Sequence, residues 1–396
     1  MNSDEREQLL ADVEAFCQEI RPEEEFCYVE RKSNEQVIPL AIKHHLLGML
    51  TPKEYGGRAA DTVTYLRALA RIGREGTGVR TFFSGHISIG AYPIATWGSE
   101  DLKKRYLPAA SRGEKILAFG LTEPEAGSNP LEMRSTYRRE GNRFLLNGEK
   151  YLISNGGICH AVLVFAYPEG VESGPNHRVS AFVLDTKQPG FHVESFTSQA
   201  KMGMPTANTA MFEMKNVEVP LENMLGEEGN GFRIAMSTLV SGRLSVAAGC
   251  LGVIEDCLEE VITFSKERHQ HGKEIAKHQL IQDHIAHIEM DRVASDALIF
   301  RAGEAKDASI AQPLDKDLAR KADLLAAQAK FFATNAAWDA ADRAVQVFGG
   351  RGWSTLYRPG RHLIDVRVCR IYEGTDEILK LKIAAAVLGK EYEAFK

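Results

Sequence analysis

Arg143-Phe-Leu-Leu-Asn-Gly-Glu-Lys-Tyr-Leu-Ile-Ser154 is the stretch whose reading decides the fold. Its β-branched and aromatic residues alternate with polar ones, the period of a half-buried strand. Asn147-Gly148 tolerates positive φ angles, which predicts a tight hairpin turn between Arg143–Leu146 and Glu149–Ser154. Working outward, Ala161–Ala166, Val179–Leu184 and Ala207–Met214 read as further strands, so Ile116 to Val219 forms a β-domain of roughly 100 residues.

Both flanks are helical. On the N-terminal side Leu9, Leu10, Val13, Phe16 and Cys17 fall at i, i+3, i+4 steps, and Asp101 to Leu107 is amphipathic. Gly56-Gly57 and Pro93 interrupt the pattern and predict several helices rather than one rod. Beyond Pro220 and the glycines Gly226, Gly229 and Gly231, helical periodicity returns. Met290, Val293, Ala294, Ala297 and Leu298 predict the apolar stripe of a helix packed on one side, and Asp315 to Val347 is equally helical after Pro313. The order is α, then β, then α: an α+β multidomain chain.

The 396 residues are 44% hydrophobic and 26% charged, a balance that excludes wholesale disorder. With 48 basic and 54 acidic side chains the net charge is −6, lacking the general pull on phosphate backbones that most nucleic-acid binders show. Met1 to Val13 is acidic and amphipathic, unlike a secretory leader, and no apolar run approaches the ~20 residues needed to cross a bilayer. Neither nucleic acid nor membrane is therefore an expected partner. Cys17, Cys27, Cys159, Cys250, Cys257 and Cys369 form no C-x-x-C pair, which points to a reducing, cytoplasmic home.

Generic nucleotide and hydrolase motifs are missing. There is no G-x-G-x-x-G, Walker A or G-x-S-x-G; in Gly85-His-Ile-Ser-Ile-Gly90 the serine comes one place late. His284 and His287 lie three apart on one helix, yet without an added carboxylate motif they read as structural, and no metal is expected.

Four segments, in order, resemble the acyl-CoA dehydrogenase family of flavoproteins: Phe119-Gly-Leu-Thr-Glu-Pro-Glu-Ala-Gly-Ser128, Lys150-Tyr-Leu-Ile-Ser-Asn-Gly156, Gln346-Val-Phe-Gly-Gly-Arg-Gly352 and Arg370-Ile-Tyr-Glu-Gly-Thr375. The resemblance implies an N-terminal helical domain (1–115), a middle β-barrel (116–225) and a C-terminal helical bundle (226–396), assembled as a homodimer or homotetramer around FAD. It implies that Phe119, Thr122, Leu152 and Ser154 lie at the flavin ring region, that Ser128 serves cofactor and substrate, and that Thr375 and Glu377 also meet the cofactor. Arg268, Gln270, His278, Gln279, Gln346, Gly349 and Gly350 match positions that reach the FAD of a neighbouring subunit. Read alone, Thr122 and Ser128 are equally turn-capping residues.

By the same resemblance Glu373 removes the α-proton of an acyl thioester while the β-hydrogen leaves as hydride to flavin N5. Such chemistry needs a base in contact with a weakly acidic C–H and a polarised carbonyl. Tyr372, Gly374, Val240 and Arg243 are then expected at the substrate. Gly374-Thr375-Asp376-Glu377 is also a good helix start, so Glu373 can equally be read as its first residue. Some family members carry the base at the place of Gly242, where glycine cannot serve.

Several residues depart from the family pattern. Leu152 stands where a tryptophan or phenylalanine is common, near the docking site of an electron-transferring flavoprotein. Glu125, Asn129 and His271 replace a usual glycine, aspartate and phenylalanine. Val240 replaces an aspartate that helps hold pantetheine, while Arg243 remains to meet a phosphate or carboxylate, which leans toward a thioester carried on acyl carrier protein rather than CoA. Alternatives are an acyl-CoA oxidase or flavin monooxygenase relative using oxygen, and a non-catalytic flavin-bearing nucleic-acid-binding or scaffold protein.

Overall fold

Asn2 and Glu5 exchange hydrogen bonds, each side chain accepting from the other's backbone N–H, and this reciprocal cap fixes the start of α1 (Ser3–Val29). The computed structural model describes residues 1–171, 178–392 and 394. Leu9, Val13, Phe16 and Cys17 of α1 are fully buried, against α3 (Thr62–Gly73) and the helices around it. α2 (Val37–Lys43), α4 (Thr77–Phe83), α5 (Tyr92–Trp97) and α6 (Glu100–Ser111) complete the N-terminal part.

Pro93 does not break the chain as the sequence suggests. From α4 to α5 the helix continues through Ser84–Ala91, a stretch wound with wider, π-type turns that contains the Gly85–Gly90 segment. Pro93 sits in the first turn of α5, where the hydrogen-bond spacing changes and its missing N–H removes little.

Among the described residues, eight strands form one mixed sheet: β1 (Leu117–Gly120), β2 (Thr136–Glu140), β3 (Arg143–Ser154), β4 (Ala161–Pro168), β5 (Ser180–Asp185), β6 (Phe191–Ser195), β7 (Thr209–Pro220) and β8 (Met224–Leu225). Their order is β6-β7-β3-β2-β4-β5-β8, with β1 parallel to β4. Among the described residues β2 meets β4 only at Thr136–Tyr167 and Tyr137–Pro168, and Phe144, Phe182, Phe212 and Val217 share one buried cluster.

Asn147-Gly148 is not a hairpin turn. The turn is Gly141-Asn142, between paired Glu140 and Arg143, with Gly141 at φ +62°. β3 runs straight through Gly148, which sits at φ +137° in a bulge where pairing with β7 slips. A Cβ there would lie 2.6 Å from Ser135 Cα, so close approach rather than chain reversal requires the glycine.

The C-terminal part holds α7 (Gly231–Glu267), a short hairpin of β9 (His269–Gln270) and β10 (Lys273–Glu274), then α8 (Gln279–Ala311), α9 (Lys316–Phe348), α10 (Arg358–Val366) and α11 (Asp376–Leu388). α7 corrects the sequence reading on apolar runs: by length and composition it could cross a membrane, yet 89% of its most apolar window is buried inside the protein. It packs between α3 and α9 as the core helix. The expected stripe on α8 is also corrected. Ile288, Ser295, Ile299 and Ala302 face inward, whereas Met290 and Val293 are 63% and 43% exposed. α8 is apolar on two sides, and periodicity marks a stripe without saying what covers it.

Candidate active site

Glu373 sits in the turn that leads into α11, and the helix start does not need it. Thr375 is the cap, its hydroxyl accepting from Ile378 N at 3.3 Å. Glu373 is at φ +56°, a left-handed conformation that costs on the order of 1–3 kcal/mol in a non-glycine residue and persists only where the surroundings impose it. They do so here at three points. Arg243 Nε donates to Glu373 O (3.3 Å), Lys330 Nζ to Gly374 O (2.7 Å), and Arg370 pairs with Asp376 (2.8 Å).

The backbone is thus held by cations while the carboxyl is left alone. Glu373 Oε2 is buried with no hydrogen-bond partner, and burial raises the carboxyl pKa to about 7 against the opposing pull of Arg243, Lys330 and Arg80. No acceptor among the described residues takes the Glu373 N–H. A buried, unpaired carboxyl poised near neutrality beside a free N–H is suited to taking a proton from carbon while a carbonyl is held.

Gly242 on α7 faces this carboxyl. A Cβ at 242 would stand 2.7 Å from Glu373 Oε1. Gly242→Ala should therefore push the carboxyl aside and slow, about tenfold or more, the substrate-dependent reduction of the flavin that the resemblance implies, since small misplacements of reacting groups are expensive. Stopped-flow absorbance with unchanged flavin content checks this.

Arg243 and Val240 differ from their expected roles. Arg243 is buried and two of its three guanidinium nitrogens are engaged, Nη1 with Asp323 at 2.8 Å and Nε with Glu373 O, so it braces the turn. Val240 packs against the main apolar core. Tyr372 turns its hydroxyl toward Cys369 Sγ (3.2 Å) and Arg80.

Arg80, together with Lys330, went unnoticed in the sequence. Arg80 is 2% exposed, its Nε has no acceptor, and it forms no ion pair with a carboxylate among the described residues. It lies along α7 beside Gly249, where a Cβ would meet its Nε at 2.6 Å, and so shares a helix face with Gly242 and Glu373. A charged residue within the apolar run Val79–Phe83 was the available signal.

The ring-contact residues of the sequence reading gather where β1 ends beside β3. Tyr151 and Leu152 drop out of the ladder between Lys150 and Ile153, and Leu152 is 55% exposed at φ +56°. Tyr151 N returns to Thr122 O at 2.8 Å, which ties the two segments together. Phe119 is buried in β1, Ser154 ends β3 near Gly85, and Ser128 is exposed in the turn beyond β1. Beneath them the buried Lys150 donates to Glu123 (2.6 Å) and Leu121 O (3.4 Å), and Glu123 also accepts from Ser135 N (3.1 Å). Lys150→Met should destabilise the fold by about 3–5 kcal/mol by leaving a buried carboxylate unpaired, read as a lowered denaturant midpoint.

Arg268, Gln270, His278, Gln279, Gln346, Gly349 and Gly350 lie elsewhere, on the β9–β10 hairpin, the start of α8 and the end of α9. The Phe264–Phe348 stack (centroids 4.2 Å apart) brings hairpin and α9 end together. Most of this group is exposed, and nothing approaches within 4 Å of a Cβ at Gly349 or Gly350. Glu377 is exposed on the first turn of α11. His284 borders Arg343 at 3.4 Å and His287 borders Asp283 at 3.7 Å.

Comparison with known proteins identifies the family. Residues 3–114, 118–217 and 229–388 match the N-terminal, middle and C-terminal domains of acyl-CoA dehydrogenases. An acyl-CoA dehydrogenase of Bacillus subtilis (strain 168) is 37% identical over 354 residues, 89% of this chain and 90% of the relative. The Caffeyl-CoA reductase-Etf complex subunit CarC of Acetobacterium woodii is 33% identical over 90% of each chain. The solved glutaryl-CoA dehydrogenase of Mycobacterium smegmatis in complex with FADH2 superposes with a TM-score of 0.89 at 28% identity, covering 100% of this chain and 97% of that one. The chain belongs to the acyl-CoA dehydrogenase family, whose members are oxidoreductases acting on CH–CH donors.

Proposed function

We propose that the protein is an FAD-dependent acyl-thioester dehydrogenase in which Glu373 Oε2 takes the α-proton. The observation that carries this is the unpaired, buried Glu373 carboxyl, held in a strained turn by Arg243 and Lys330. The solved relative with FADH2 supports the cofactor, and this chain's groups fit it: the exposed bulge at Leu152 for the ring, and the Arg268–Gln270 hairpin with the open Gly349–Gly350 turn for the phosphates. When bound, FAD supplies the acceptor for the β-hydrogen and its electron pair. The protein's own part is to accept the α-proton, to hold the thioester carbonyl on the Glu373 N–H, and to keep water from the apolar walls around α7.

The acyl group is short and carries an anion. Gly242 and Gly249 are seven residues apart, about 10 Å along the helix axis. That spacing along one face of α7 suits a short acyl chain whose far end carries an anion to meet Arg80. The similarity to a glutaryl-CoA dehydrogenase points the same way.

The exposed Met290 and Val293 on α8 and the open Arg268–Gln270 hairpin support a homodimer or homotetramer that completes the cofactor site. Leu152 lies on the exposed edge expected to meet an electron-transferring flavoprotein. Because Val240 packs inward, its lack of a hydrogen bond gives no preference for acyl carrier protein, and CoA is the proposed carrier. Six reduced, buried cysteines suit a cytoplasmic location.

The test is anaerobic bleaching of flavin absorbance in the purified holoenzyme by butyryl, glutaryl and octanoyl groups, each on CoA and on acyl carrier protein. Glutaryl-CoA should reduce fastest. No bleaching by any thioester would refute the dehydrogenase reading, and faster reduction by acyl carrier protein thioesters would restore the carrier-protein expectation.

A further inference from the structure

Ser241 and Gly242 are adjacent on α7 and look to different flanks, about 100° apart around the helix. Gly242 faces Glu373, whereas the Ser241 hydroxyl meets Lys306 Nζ from α8. On that second flank a cavity of about 410 Å³ opens between α3, α5, α7 and the last turns of α8, walled by Tyr65, Leu66, Tyr92, Leu244 and Ile310. Its size is that of small-molecule sites, and its walls are mostly apolar.

Lys306 is the feature these walls do not explain. It is 5% exposed and lies 4.3 Å over the Tyr92 ring, yet no acid pairs with it among the described residues. The two nearby carboxylates are committed elsewhere. Asp307 accepts from Thr62 N (2.8 Å) and Val63 N (3.3 Å), and Asp61 holds Arg6 (2.8 Å) and Thr64 N (2.8 Å). A buried ammonium without a counter-ion is costly unless an anion completes it.

We propose that this cavity is a second ligand site, which takes an aliphatic carboxylate with its head on Lys306 and Ser241 and its chain along the apolar walls. One cation and one hydroxyl match a monoanion, whereas a dianionic phosphate would leave oxygens unmet. The site is separated from the thioester by α7, so its occupancy is independent of the assignment of Glu373 as base.

Burial holds the Lys306 pKa at about 7, with Asp307 opposing. The other groups facing it are the Tyr92 phenol on α5 and, across the cavity, Tyr65 on α3, both raised by burial and neutral near pH 7, with Met1 also on the cavity wall and Asp61 on the loop before α3 already paired. The carboxylate requires the ammonium form. Affinity should be level below pH 7 and fall as pH rises above it, with proton uptake on binding.

The experiment is calorimetric titration of the holoenzyme with octanoate, and with octanol as the uncharged control. Octanoate should bind at least about tenfold more tightly than octanol, as expected for a charge-assisted contact. Saturating enoyl-CoA product should not displace it. Lys306→Met should abolish the preference for the carboxylate and Lys306→Arg should keep it. If Lys306→Met does not fold, Ser241→Ala should reduce that preference about threefold or more. Equal binding of octanoate and octanol, a preference unchanged in these variants, or displacement by the thioester product would overturn the proposal.

Discussion

Glu373→Gln should leave the fold and flavin content unchanged while slowing flavin reduction by at least ~10²-fold, the usual lower range for loss of a general base. The amide is nearly isosteric, and the carboxyl makes no hydrogen bond whose loss could unsettle the turn. The pH profile adds a readout that a structural role would not move. With the carboxyl pKa raised to about 7, the carboxylate fraction falls below pH 7, so the wild-type rate should drop about tenfold per unit on the acid side. That limb should vanish in the variant. Reduction at the wild-type rate, with the limb intact, would place the base elsewhere; Gly242, the other position facing the site, has no side chain to supply it.

The α-β-α order was legible in the sequence because each part repeats one period over many residues. Where single residues decided a detail, the sequence misled. Asn147-Gly148 carries the composition of a turn, but Gly148 is needed for close passage over Ser135, a contact between strands that no local pattern contains. Pro93 is a helix breaker only if the hydrogen-bond spacing is uniform, and the wide turns at Ser84–Ala91 make it otherwise. On α8 the more visible stripe faces outward, since periodicity marks an apolar stripe without saying what covers it.

The candidate site shows the same division. Glu373 and Thr375 lie in one motif, and the structure separates their roles: the threonine caps α11 and the glutamate is left with an unpaired carboxyl. The residues that hold the turn come from far along the chain. Arg243 lies 130 positions from the Glu373 carbonyl it binds, and Lys330 lies 44 from that of Gly374. Lys330 could have been suspected, since it interrupts the buried alanine stripe of α9 with a charge. The rule is general: a cation on the face of a helix that ought to be buried has a partner the sequence does not show.

Arg80 is the other such cation: it donates to the Tyr372 hydroxyl, while its Nε has no acceptor and no carboxylate among the described residues pairs with it. Arg80→Met should lower kcat/KM for glutaryl-CoA by about 10²–10³-fold, the range for removing one member of a buried charge pair between protein and ligand. For butyryl-CoA the value should change little or rise, because the neutral chain gains an apolar wall where it met a guanidinium with an unmet Nε. Arg80 is also one of the cations that pull down the Glu373 pKa, so the acid limb should move to higher pH in the variant, with the same sign for both substrates. Arg80→Lys should restore part of the glutaryl activity and return the limb toward its wild-type position, since the charge survives while the two-pronged geometry is lost. The two readouts separate the two roles. If glutaryl-CoA and butyryl-CoA lose activity equally and only the limb moves, Arg80 acts through Tyr372 and the base alone, and the anionic acyl group is refuted while the base assignment stands.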